Sequence, residues 1–150
     1  NQFGYVPSHP NFIVPGKRPL SSMSPIMVEN RHTGALELIV GSSGGSRIIT
    51  ANILTTYAYL SHHGQVSMDD VIARPRWHDQ LLPPVTVFEY PGAQTPGFDN
   101  ATVRALTAKG HRAAYTAPGL SNAQAIQHTH AGSWHAASER RQYEARGAAI

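Results

Sequence analysis

ALELIVGSSGGSRIITANILTTYAYLSHHG, residues 35–64, is the stretch on which the fold turns. Ala35 to Val40 is rich in apolar and β-branched residues and predicts a strand, which Gly41 to Gly45 brings to an end. From Ser46 to His63, Ile49, Ile53, Tyr57 and Leu60 recur at three- and four-residue spacing, the period of one helix face. Gly64 stands where a helix needs a left-handed residue to stop. A strand that passes through a glycine turn into a helix leaves the first N–H groups of that helix without intrahelical partners, at the positive end of its dipole.

Upstream, Ile26 to Asn30 is a second β-rich run, and His32-Thr33-Gly34 between the two predicts a hairpin. Asn1 to Pro25 carries Pro7, Pro10, Pro15, Pro19 and Pro25, a density that precludes helix and predicts an ordered, extended loop. Downstream, Ser67 to Ala73 predicts a short helix with Ser67 as N-cap and Asp70 three residues on, ended by the restriction Pro75 places on Arg74. Val85 to Tyr90 predicts a strand, and Asp99 caps a helix over Ala101 to Lys109 that Gly110 closes. Ala123 to Thr129, Trp134 to Ala137 and a short Ala148 to Ile150 complete the expected strands. Strands, then helices, then strands make an α+β class with a largely antiparallel sheet. At 150 residues and 41% hydrophobic content, one domain over 1–150 with one core is expected.

A net charge of +3 with only 14% charged residues is a small excess of Lys and Arg, not a basic tract, so nucleic acid is not an expected partner. No apolar run approaches the roughly 20 residues a bilayer requires. The chain opens on Asn1 in a polar, Pro-rich segment, which suggests a piece of a longer protein. The absence of Cys is compatible with cytosol and secretory pathway alike, and Asn100-Ala101-Thr102 is a glycosylation sequon.

Two segments can carry chemistry. Gly44 and Gly45 let backbone approach a ligand without a Cβ in the way, and two successive N–H groups aimed at one point form an oxyanion hole. Ser21 and Ser22, framed by Pro19 and Pro25, offer hydroxyl and amide donors suited to a carboxylate. Together they suit acyl transfer on an amino-acid-like substrate. Gly41 to Gly45 also matches G-x-S-x-G, which makes Ser43 a candidate hydrolase nucleophile with Asp99 and His128 as nominal partners, although the regular strand–helix alternation of that fold is missing. Arg47 follows Ser46 where a phosphate-binding loop requires Lys. His62-His63 and the His128, His130 pair lack the three or four converging ligands of a metal site, so neither metal nor cofactor is expected. Arg74, Arg76, His78 and Asp79 are expected to form a structural polar network, and Trp77 and Trp134 to fill core or interface.

PGKRPLSSM (15–23), GGSRI (44–48), IARPRWHDQLLPPVTV (72–87) and GSWHAASERR (132–141) together resemble the γ-glutamyltransferase (glutathione hydrolase) family, in the C-terminal part of its small subunit. The likeness covers most of the chain and is weakest from Pro91 to His130. It implies an N-terminal-nucleophile hydrolase fold, a four-layer αββα sandwich of which this chain is a part, made when a precursor cleaves itself into large and small subunits. It also implies a γ-glutamyl-enzyme intermediate on an N-terminal Thr whose α-amino group is the base. On this sequence Ser21 and Ser22 match the serines that bind the α-carboxylate, Gly44 and Gly45 match the oxyanion pair, and Ser43 loses its role. Asn1 is not the catalytic Thr, which with the residues holding the α-amino group is expected upstream; Ile26 stands where the family commonly has Thr. The implied partners are the large subunit, which contributes an Arg, and the N-terminal part of the small subunit. The implied substrates are glutathione and other γ-glutamyl compounds, with amino acids, peptides or water as acceptors. The implied location is the secretory pathway, cell surface or vacuole. Two alternatives stay open: a serine hydrolase using Ser43, and a non-catalytic relative that keeps the fold.

Overall fold

Leu38 and Val40 project to one side of their strand and Ile39 to the other, so the strand period alone selects the residues of the core. In the computed structural model, which describes residues 4–93, 95–129, 131–142 and 145–148, Leu38 and Val40 are fully buried and Ile39 is partly covered. The elements in chain order are β1 (Ile26–Glu29), β2 (Leu36–Ser43), α1 (Arg47–Ser61), α2 (Met68–Ala73), β3 (Trp77–His78), β4 (Thr86–Glu89), α3 (Asn100–Ala108), β5 (Ala113–Thr116), β6 (Asn122–His128) and β7 (Trp134–Ala137).

An antiparallel four-stranded sheet runs in the order β1-β2-β6-β7. Its first hairpin closes as expected: Gly34 takes φ +70°, and Asn30 Oδ1 accepts from the backbone N–H groups of His32 and Thr33. Helices α1 and α2 cover one face, where Leu38, Val40, Tyr59, Met68, Val71, Ile72, Ala125 and Ala137 pack together. Each large apolar side chain there contributes about 1.5–3 kcal/mol on burial. The second sheet, β3-β4-β5, pairs β3 with β4 antiparallel and β4 with β5 parallel, and α3 makes the crossover that a parallel pair requires. Phe88 on β4 is fully buried and meets Phe98 edge-on at 5.4 Å between centroids.

Several expectations change. The apolar stripe of α1 turns outward: Ile53 and Tyr57 are 52% and 70% exposed, while Ala51, Asn52, Thr55, Ala58 and Tyr59 are buried. Apart from Tyr59 the inner face is made of short side chains, and periodicity fixes the width of an apolar stripe without fixing what it meets. Strand β2 continues through Gly41 to Ser43, because β6 supplies ladder partners as far as Asn122. A short 3-10 turn at His9–Asn11 interrupts the extended N-terminal segment, with Pro10 in its first turn, where a missing N–H costs nothing. Ser67 occupies the N-cap of α2, but its side chain makes no capping bond. Ala148 is outside any strand, and Ala149 and Ile150 fall outside the described residues.

The expected Arg74, Arg76, His78 and Asp79 cluster divides. Arg76 joins Glu139, Arg141 and Glu89 in a buried quartet: Arg76 Nη1 to Glu139 Oε2 is 2.6 Å, Arg141 Nη1 to Glu139 Oε1 is 2.8 Å, and Arg141 Nη2 to Glu89 Oε2 is 2.8 Å. Burial pushes the Glu139 carboxyl up, but Arg76 and Arg141 outweigh it and hold the group below its ordinary value. His78 instead bonds Thr50 at 2.9 Å and Gln80 at 2.9 Å. Asp79 accepts from Thr86, and Arg74 is exposed with its Nη2 3.4 Å from His62 Nε2. Trp77 and Trp134 are half-buried.

Candidate functional site

The N-terminal end of α1 is built from a turn whose carbonyls are used and whose amides are not. Arg47 N donates to Gly44 O and Ile48 N to Gly45 O, at 3.3 and 3.2 Å, which starts the helix. The N–H groups of Gly44 and Gly45 donate to no described residue. Both glycines have positive φ, +134° and +64°, so neither conformation suits an ordinary side chain. At Gly44 there is a second constraint: a Cβ would stand 3.2 Å from Ser121 Cα and 3.3 Å from Leu120 O. The helix dipole places about half a positive charge beside these amides, and Arg47, exposed at the first helical position, adds a full one at the same end.

The hydroxyl-bearing loop arrives at this turn. Ser22 Oγ donates to Gly45 O at 2.5 Å. Ser21 is exposed, and its Oγ accepts from Met23 N at 3.1 Å, which leaves its own proton free to face a ligand. The two sequence-predicted halves are therefore one place in the fold. The serines have different situations within it: Ser22 braces the diglycine turn, and Ser21 presents a donor outward.

One participant was missed from sequence. Asn52, on the buried face of α1 and 1% exposed, accepts from Ser42 Oγ at 2.5 Å and donates through Nδ2 to Ser24 O at 2.5 Å, with Ser24 Oγ at 3.3 Å. The available signal was an amide among the small residues of that face, where a buried polar group requires partners.

Ser43, Asp99 and His128 do not converge. Ser43 pairs with Asn122 at one end of β6, and His128 lies at the other end, roughly 20 Å away at 3.3 Å per residue. His128 packs edge-on against Trp134 at 5.0 Å between ring centroids. Asp99 caps α3 and accepts from Thr102 N at 2.8 Å and Thr102 Oγ1 at 2.7 Å, which hold its carboxyl below the ordinary range. His130 lies outside the described residues.

The family model for gamma-glutamyltranspeptidase matches residues 1–149. A glutathione hydrolase proenzyme of Arthroderma benhamiae is 38% identical over 111 residues, which are 74% of this chain and 18% of that protein. The chain thus spans about a fifth of the length of this relative and of the glutathione hydrolase of Aspergillus flavus. Among solved structures, the Helicobacter pylori gamma-glutamyltranspeptidase T380A mutant superposes with a TM-score of 0.78 at 30% identity, covering 95% of this chain and 73% of that one. Gamma-glutamyltranspeptidase from Pseudomonas nitroreducens complexed with L-DON gives 0.78 at 31%, covering 99% and 72%.

Proposed function

This chain belongs to the gamma-glutamyltranspeptidase family, with the N-terminal-nucleophile hydrolase fold, and we propose that the protein of which it forms part moves the γ-glutamyl group of glutathione and related compounds to water or an amine. The observation that carries this is the 2.5 Å contact between Ser22 and Gly45, which sets a carboxylate-suited loop against two unspent amides at a helix N-terminus. In the proposed reaction, the Oγ of an N-terminal Thr upstream of Asn1 attacks the γ-carbonyl and its α-amino group takes the proton. The carbonyl oxygen becomes an oxyanion, received by the N–H groups of Gly44 and Gly45. Collapse breaks the C–N bond, the leaving amine takes a proton, and the γ-glutamyl ester is then opened by water or an acceptor amine. Ser21 donates its hydroxyl proton to the α-carboxylate, and Ser22, whose proton goes to Gly45 O, holds that loop against the turn, so that the pair fixes which carbonyl reaches it.

Large and small subunits cut from one precursor, and passage through the secretory route to surface or vacuole, belong to the same proposal. The test of the site is a comparison of two donors in the full-length protein, a γ-glutamyl anilide and the 4-aminobutanoyl anilide that lacks the α-carboxylate. Replacing both serines by Ala is expected to lower kcat/KM for the first by about 10²-fold and to leave the second nearly unchanged. An unaltered ratio between the donors would overturn the assignment of the serines.

A further inference from the structure

We propose that Asn52 is a positioning residue that fixes the distance between the carboxylate-binding loop and the diglycine turn. The inference rests on the site reading above. Ser24 lies two residues after Ser22, and Ser42 lies two residues before Gly44. The Asn52 side chain reaches both, taking the Ser42 hydroxyl proton on Oδ1 and giving Nδ2 protons to Ser24 O and Oγ. Both Nδ2 protons are thereby spent inside the protein, Oδ1 has a partner, and the residue is 1% exposed, so it has no donor left to offer a ligand. Its backbone belongs to α1, the same helix whose first turn is bonded to Gly44 O and Gly45 O. The helix is therefore the ruler: its N-terminus carries the oxyanion donors, and five residues further on it grips the loop that bears Ser21 and Ser22. Without Asn52, Ser22 Oγ to Gly45 O is the hydrogen bond that remains between the two loops among the described residues, a single contact about which the hydroxyl loop can pivot.

A ligand that touches only one loop does not sense their separation, and a ligand that touches both does. The full-length protein carrying Asn52→Ala should accordingly lose about 10- to 100-fold in kcat/KM toward the γ-glutamyl anilide, while the 4-aminobutanoyl anilide changes by less than about threefold. Ser42→Ala, which removes the hydroxyl that Asn52 Oδ1 and Ile48 O share and changes no residue of α1, should shift the donor ratio in the same direction and serves where Asn52→Ala fails to fold. Asn52→Ala combined with Ser22→Ala should be non-additive, because both act on the same separation. A general structural role would lower both donors alike and give additive losses, and either result overturns the inference. If the serine variants change the donor ratio and the Asn52 and Ser42 variants do not, this inference fails alone. If the serine variants do not change it, the underlying site assignment fails first.

Discussion

At the scale of single residues, the two serines and the two glycines separate into unlike pairs. Ser21 faces outward and Ser22 braces Gly45 O, so Ser21→Ala is expected to raise KM for a γ-glutamyl donor with kcat little changed, and Ser22→Ala to lower kcat as well. Steady-state kinetics on the two single variants checks this, and identical profiles would contradict it. The glycines differ in what surrounds them. Ala tolerates the left-handed φ of +64° at Gly45 at a cost of about 1–2 kcal/mol, whereas Gly44 combines φ +134° with the Ser121 backbone at 3.2 Å. Gly44→Ala should therefore displace a proposed oxyanion donor and reduce kcat by roughly 10²–10³-fold, against a loss below about tenfold for Gly45→Ala. Comparable kcat in the two variants would count against the wall behind Gly44.

At the scale of elements, α3 is the cleanest case of a local signal that survives folding. Asp99 accepts from Thr102 N at 2.8 Å, so Asp99→Ala should lower Tm by about a few degrees with unchanged kinetics. Local chemistry of this kind made most elements legible: the Gly34 turn, Gly64 after α1, and Pro75 after α2 all act within a few residues of themselves. What was not legible depends on partners distant in the chain. Strand β5 is Ala-Ala-Tyr-Thr, too short and half alanine to announce itself, and it exists because β4 offers it a parallel edge. The two-residue strand β3 likewise follows from its pairing with Phe88 and Val87. The outward turn of Ile49, Ile53 and Tyr57 on α1 has the same origin, since the sheet selects the small-residue face. In the site, the donor-rich loops were visible as composition, but their junction runs through Asn52, whose spacing from Ser24 and Ser42 no local pattern encodes.

At the scale of the whole molecule, the buried quartet ties the two sheets together and supports the site from behind. Glu89 Oε1 accepts from Gly119 N at 2.8 Å and Leu120 N at 3.2 Å, Arg76 Nη1 donates to Ser121 O at 2.6 Å, and it is Leu120 and Ser121 that back Gly44. The quartet has a definite acid signature. Desolvation opposes ionisation of Glu139, but Arg76 and Arg141 prevail, so its folded pKa lies below the ordinary 4.5. A depressed carboxyl contributes stability that is complete above the unfolded value and is lost as pH falls through the folded one. Asp79 acts in the same sense, lowered first by the Thr86 hydroxyl and then by Leu81 N, from a more exposed position. Tm of the full-length protein should therefore be flat from about pH 7 to 5 and fall below about pH 4.5. Glu139→Gln keeps the shape but removes the charge opposite two buried guanidinium groups, so it should lower stability at pH 7 by about 3–5 kcal/mol and flatten the acid limb. Asp79→Asn should flatten that limb only slightly. A Glu139→Gln protein that matches the parent at pH 7 and still loses Tm as steeply on acidification would show that the quartet is not what holds the two sheets together.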